Sequence, residues 1–334
     1  MSAAYTWVTS PNHEYDDHPE RPGRLDELAA RLKDFAAEKL DAAPAARDEI
    51  ARVHSPRMIE AVETACARGG GIIDYAPTYT TPSSFDDALL AAGGTLACSR
   101  AVWAGEAANA FALVRPPGHH AEPGRAMGFC LFNNVAIAAR DLLERGARRV
   151  LVADYDAHHG NGTEAAFLQD ERLAYLSTHQ WGIYPGTGRM DDAPRARGRI
   201  VNAPLPARAG DACFERIAER IIAPHVRSFR PDMILVSAGF DAHWDDPLTA
   251  LGLSSAGFHA LSKRLVELAG EVCGGKIAFV LEGGYNPRRV ADGASAVFAA
   301  LTGANFRDPR DPSPYEEPDI GKMIESIRAW HGFT

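Results

Sequence analysis

VLVADYDAHHGNGT (150–163) decides how this chain is read. An apolar run too short for a helix ends in two aspartates and two histidines packed between positions 154 and 159. That is the pattern of a strand buried on both faces that delivers polar chemistry at its C-terminal end. The pattern repeats. FALV (111–114) runs into RPPGHHA (115–121), LAYLS (173–177) into STHQWG (177–182), MILVS (233–237) into AGFDAHWDDP (238–247), and IAFVLE (277–282) into GGYN (283–286). Stretches with helical spacing cover 85–103, 131–145, 212–229, 254–273 and 287–302. Strands alternating with helices predict an α/β fold with a parallel sheet covered on both faces. In such a sheet the strand C-termini share one edge, so motifs far apart in sequence converge on one pocket.

At 334 residues the chain permits one or two domains. It shows no repeat and no linker rich in Pro, Gly or Ser, so one domain over 1–334 is expected. DDAPRARGRI (191–200) and DPRDPSPYEEPD (308–319) read as excursions over the surface, the second leading to a last helix over 320–330. With 35 Lys plus Arg against 44 Asp plus Glu, the net charge of −9 argues against direct binding to nucleic acid or to anionic membranes. The five cysteines form no C-x-x-C pair, the N-terminal residues lack a charged-then-apolar leader, and no run approaches the roughly 18 apolar residues of a membrane span. A cytoplasmic protein is expected.

Side chains alternate along an extended strand end, so Asp154, Asp156 and His158 project to one side. Asp156 and His158 can grip one ion, and Asp241, at another strand's end, is the natural third ligand. Two carboxylates and an imidazole with open positions suit catalytic zinc or iron(II) rather than a closed structural site. Asp154 either orients a nearby imidazole through Nδ1–H or joins Ser177 and main-chain carbonyls around a monovalent cation. His119 and His120 follow a rigid Pro116-Pro117-Gly118 turn. One is suited to take a proton from water while the other stabilises developing charge, because imidazole titrates near neutrality; the alternative makes them metal ligands or hydrogen-bonded surface residues. Tyr285, after two glycines, can reach a carbonyl oxygen as it becomes an oxyanion, a contribution commonly worth about 3–4 kcal/mol.

RPPGHHAEPGRAMGFCLFNNVAIAA (115–139), DYDAHHGNGT (154–163), YPGTG (184–188), AGFDAHWDDP (238–247) and LEGGYN (281–286), preceded by HPERPGRL (18–25), together resemble the zinc-dependent histone deacetylase family, in the family's order and across nearly the whole chain. GNG and HHAE are more similar to the class II branch and its bacterial amidohydrolases. The resemblance implies the arginase/deacetylase fold with an eight-stranded parallel sheet, and hydrolysis of an acetyl-lysine or other short N-acyl amide. It implies zinc on Asp156, His158 and Asp241, His120 as general base and acid, His119 as its electrostatic partner on Asp154, and Tyr285 as the carbonyl-polarising phenol. Asn161 stands where class I members carry an Asp, implying a neutral orienter and a less basic His120. It further implies structural potassium at Asp154, Asp156, His158, Ser177 and Thr178. Phe129 and Tyr184 would wall the acyl tunnel, with Gly128 offering its carbonyl, Leu248 at the mouth and Arg24 beside an acetate exit channel.

At the rim, PTYTTPSS (77–84) has Pro77 and Thr78 where many relatives place an Asp or Ser that holds the peptide backbone, a departure that favours small acylated amines. Oligomerisation through rim loops is compatible with this fold. Arginase-like ureohydrolases share the fold but use two manganese ions, and here Gly160 and His243 replace the carboxylates a second ion needs. A non-catalytic acyl-lysine-binding module would be expected to have lost the tyrosine, a histidine or a ligand, and all are present.

Overall fold

Eight strands, every pair parallel, form the central sheet: β1 (Ala3–Val8), β2 (Ala37–Lys39), β3 (Asn109–Val114), β4 (Val150–Asp154), β5 (Leu173–Gln180), β6 (Ile200–Leu205), β7 (Met233–Ala238) and β8 (Ile277–Leu281), in the order β2-β1-β3-β8-β7-β4-β5-β6. These features come from a computed structural model that describes residues 1–333. The sheet agrees with the fold expected from the resemblance.

Alternation along the buried strands feeds two cores, one on each face. Phe111, Leu113, Leu151 and Ala153 point into one, beneath the helices Ser255–Cys273 and Pro287–Thr302. Ala110, Ala112, Val150 and Val152 point into the other, beneath Ser84–Ala104 and Asn134–Glu144. The five strands that carry the polar motifs, β3, β8, β7, β4 and β5, are consecutive in the sheet. Asp154 is in register with Ser177 on one side and Ser237 on the other, which brings the motifs to one level.

Three sheet strands lie outside the runs legible in the sequence: β1, β2 and β6. IVNAPL (200–205) carries Asn202 and Pro204, which argue against a central strand, but β6 is an edge strand, where Pro is tolerated. The helix expected over 212–229 is interrupted. It runs as Asp211–Ile217, a π turn at Ala218–Ile222, and Ala223–Phe229. Pro224 cannot donate to the carbonyl of Arg220, and Arg328 Nη1 occupies that carbonyl instead at 2.9 Å. The last helix spans Gly321–His331. The segment 191–199 is largely exposed, as expected, although Ala193 and Ala196 tuck inward. The 308–319 segment is likewise largely exposed, as expected, except that Asp311 is buried among polar donors. Among the described residues no helix is long and apolar enough to cross a membrane.

Asp141 ties the second core layer together. Its carboxylate receives Arg52 Nη1 at 2.7 Å, Arg100 Nε at 2.9 Å and Arg145 Nε at 2.6 Å. Burial alone would raise its pKa, but the three guanidiniums outweigh burial and hold it at about 2. A depressed carboxylate stabilises the fold above its unfolded pKa of about 3.9, and that contribution disappears as pH falls towards the folded value. Asp141→Asn is therefore expected to cost about 1–2 kcal/mol at neutral pH, allowing for the solvent that reaches the arginines. Thermal or urea unfolding between pH 7 and pH 3 should show the gap from wild type narrowing below about pH 4; a gap that stays constant would refute the assignment.

Candidate active site

Asp156, His158 and Asp241 offer ligand atoms that all lie within 4.8 Å of one another. His158 Nδ1 faces both carboxylates, 2.8 Å from Asp241 Oδ2 and 3.3 Å from Asp156 Oδ1. The remaining carboxylate oxygens are held by main-chain donors: Gly283 N reaches Asp156 Oδ2 and Ala157 N reaches Asp241 Oδ1, each at 2.8 Å. Both aspartates are fully buried, and among the described residues no Lys or Arg pairs with Asp154, Asp156, Asp241 or Glu282. Burial together with the charge of Asp156 raises Asp241 to about 6. Burial would favour a neutral His158, yet the two carboxylates raise it to about 10. Proton and divalent cation are alternative ways of satisfying the same pair of acids, so the donor set fits a single divalent ion.

Behind the cluster, Asp154 accepts from His119 Nδ1 at 3.0 Å and from Tyr175 Oη at 2.9 Å. Burial disfavours charge on His119, but Asp156 and Asp154 outweigh it and raise the ring to about 10. His120 behaves oppositely. Burial and the neighbouring charges of His119 and His158 push it well below the ordinary histidine value. Its Nδ1 lies 2.9 Å from Asn161 Oδ1, and the orientation of that amide is set by its other end, where Nδ2 donates to Glu122 Oε1 at 2.8 Å. His120 Nδ1 therefore carries the proton and Nε2 is left as the acceptor.

A cavity of about 260 Å³ opens above these groups, with His120, His158 and Tyr285 at its base and Phe129, Tyr184 and Leu248 around it. The Phe129 ring stands edge-on to Tyr285, with centroids 5.9 Å apart, and the Tyr184 ring edge-on to His120 at 5.1 Å. Gly128 also lines it, at φ +59°, and a Cβ there would lie 2.5 Å from the His120 ring, so glycine is required both by conformation and by space.

Other expected residues are placed as follows. Ser177 meets His179 Nδ1 at 2.8 Å, and Thr178 Oγ1 donates to the Asp154 carbonyl at 3.3 Å, so both stand beside the segment that carries the ligands. Arg24 is buried and braces the Tyr285 turn: Nη2 donates to the Glu282 carbonyl at 2.7 Å, Nη1 to that of Gly284 at 3.0 Å, and its guanidinium carbon lies 5.8 Å from the Tyr285 ring. No side chain fits at position 160, since a Cβ there would be 2.4 Å from both Asp154 Oδ2 and Tyr175 Oη. His243 is buried with both nitrogens engaged, Nε2 by Asp311 at 2.9 Å and Nδ1 by the Asp245 N–H at 3.0 Å.

The rim differs from expectation. Thr78 is buried, and its hydroxyl accepts from Phe129 N at 2.8 Å, so it braces the tunnel wall instead of facing a substrate. Tyr79 is buried too, its hydroxyl donating to main-chain oxygens of His13 and Glu20. The outward-facing part lies upstream, with Tyr75 79% exposed above the cavity. Asp74 there accepts from Thr78 N at 2.7 Å, Ala76 N at 3.1 Å and Gly128 N at 3.4 Å.

Glu282, Tyr175 and Glu122 escaped the sequence reading. Glu282 is fully buried and gathers Gly118 N at 2.7 Å, His119 N at 3.1 Å and Ser237 Oγ at 3.0 Å, joining the strand before Tyr285 to the turn before His120. Its one visible signal is a charge closing the apolar run IAFVLE. Glu122 closes the HHAE motif but its role on Asn161 was not legible there, and Tyr175 carried no signal, since each acts on a residue distant in sequence.

Residues 18–301 match the model of the histone deacetylase domain. Over 97% of its length the chain is 40% identical to "Histone deacetylase 10, chloroplastic" of Oryza sativa subsp. japonica, covering 80% of that protein. It is 38% identical to the "Histone deacetylase-like amidohydrolase" of Pseudomonas aeruginosa, over 98% of this chain and 90% of that one. The crystal structure of the HDA15 HD domain superposes with a TM-score of 0.89 at 34% identity, covering 99% of this chain and 94% of that one. Sequence and fold agree along nearly the whole length, and the chain belongs to the histone deacetylase family.

Proposed function

We propose that this chain hydrolyses N-acyl amides, removing an acetyl or similarly short acyl group from a lysine side chain or another primary amine, with one zinc ion on Asp156, His158 and Asp241. The observation that carries the reading is that His158 of the three-ligand cluster, His120 with its free acceptor nitrogen, and Tyr285 line a single cavity of about 260 Å³. A divalent ion held by Asp156, His158 and Asp241 would supply Lewis acidity to the acyl carbonyl and to the attacking water.

The chain's own groups do the rest. His120, held neutral with its proton on Nδ1, takes a proton at Nε2 from the water that adds to the acyl carbon. His119, kept cationic by Asp154 and Asp156, offsets the negative charge that accumulates beside it. The Tyr285 hydroxyl donates to the carbonyl oxygen as that oxygen becomes negative. His120 then returns its proton to the departing amine nitrogen, which leaves as the C–N bond breaks. Phe129, Tyr184 and Leu248 sleeve the apolar stem of the substrate and exclude water.

The same proposal includes potassium on main-chain oxygens of Asp154, Asp156 and His158 with Ser177 and Thr178, and Arg24 beside the path of leaving acetate. Free cysteines throughout the described residues suit a cytoplasmic setting. Substrate preference turns on the rim. Asp74 already satisfies loop N–H groups, which favours small acetylated amines, polyamines included, over peptides gripped by their backbone. The binuclear ureohydrolase reading is disfavoured by Gly160, where no carboxylate fits, and by His243, whose nitrogens are both engaged.

Elemental analysis is expected to find one divalent ion per chain, lost in Asp241→Asn; two manganese ions per chain would overturn the mononuclear site. His120→Ala should lower kcat by about 10²–10⁴ and Tyr285→Phe by about 10²–10³, each without loss of fold by circular dichroism. Turnover near wild type in either variant would sink the mechanism. Comparing kcat/KM across acyl-lysine peptides and acetylpolyamines decides the substrate class, and higher values for peptides would contradict the rim reading.

A further inference from the structure

Asp311 lies beyond the region matched by the family model, in a segment without regular structure, yet its carboxylate is only 5% exposed and is more heavily bonded than most acids in the chain. Oδ2 receives His243 Nε2 at 2.9 Å, Ser255 Oγ at 2.7 Å and Arg289 Nη1 at 3.1 Å. Oδ1 receives Ser255 N at 3.3 Å, and the Asp311 carbonyl receives Trp244 Nε1 at 2.7 Å. These donors come from three places: the loop that follows Asp241 (His243, Trp244), the first turn of the helix Ser255–Cys273, and the helix that begins just after Tyr285 (Arg289).

The bonds continue inward from there. Arg289 Nε pairs with Asp245 Oδ2 at 3.0 Å, and Asn286 Nδ2 donates to the Asp245 carbonyl at 3.0 Å. Asp246 accepts from Tyr285 N at 2.8 Å through one oxygen and from Leu248 N at 2.9 Å through the other. A single carboxylate from the tail thus sits at the apex of a network whose inner end sets the backbone of Tyr285 and the mouth residue Leu248. We propose that Asp311 is a positioning residue, clamping the Asp241 loop and the Tyr285 turn together so that metal ligand and phenol hold one separation. This rests on the amide-hydrolase reading above. A buried carboxylate serving several donors leaves them unsatisfied when it is removed, and the two loops then lose their common anchor.

The test uses the full chain with Asp311→Asn, which keeps one acceptor oxygen, and Asp311→Ala as the stronger variant. Hydrogen exchange should quicken by at least about 10-fold in 241–249 and 283–289 together while 150–160 stays unchanged. Unchanged exchange in both segments overturns the proposal, whatever the substrate proves to be. For turnover, kcat should fall about 10–100-fold with KM nearly constant, as expected when a reacting group is displaced slightly. Combined with Tyr285→Phe, the Asp311 substitution should cost less than about 3-fold more, because the two act through one group. A fully additive loss would mean that Asp311 supports the fold alone. If wild type turns over none of the amides, the amide-hydrolase reading fails while the exchange measurement still decides the clamp.

Discussion

Four carboxylates, Asp154, Asp156, Asp241 and Glu282, are buried at one edge of the sheet, among the described residues no lysine or arginine side chain pairs with them, and the rest of the site follows from how that charge is compensated. Main-chain N–H groups take part of it: Gly283 and Ala157 on the ligands, Gly118 and His119 on Glu282. Imidazoles take more, with His119 on Asp154 and His158 between the two ligands. What is left over is a concentrated negative site open to the cavity, which is where a divalent cation is most strongly favoured.

The same compensation separates the two adjacent histidines. His119 faces carboxylates and keeps its proton, while His120 faces a neutral amide, lies beside two potential cations and loses it. Neighbours in sequence therefore acquire opposite charge states, as an electrostatic stabiliser and a base require. Arg24 belongs to the same balance at one remove. It holds carbonyls of the Tyr285 turn and pairs with Glu20, so its charge is spent on shaping the loop and not on the ligands.

Much of the site was legible because its chemistry is carried by short motifs at strand ends. The runs 111–114, 150–154, 173–177, 233–237 and 277–282 lie on strands, and the residues that follow them converge because parallel strands end on a common edge. Legibility failed where local pattern and tertiary role part company. Pro204 disguised an edge strand, and Thr78 looked like a rim residue although its hydroxyl turns inward to Phe129. Asp311 looked like part of a solvated excursion because Pro, Asp and Ser dominate around it, and nothing nearby in sequence announces His243, Ser255 and Arg289 as its donors.

By itself the sequence determined the α/β alternation and singled out the candidate metal ligands and the proposed histidine and tyrosine roles, since residue type and period are local properties of a chain. Only the tertiary structure decided that Asn161 turns its carbonyl to His120, that Glu282 ties the tyrosine turn to the histidine turn, that no carboxylate can enter at Gly160, and that a tail aspartate bonds to the Asp241 loop and to the helix after Tyr285. Each of these depends on a contact between positions separated by tens to hundreds of residues, with a geometry set by packing, and no local pattern encodes the partner.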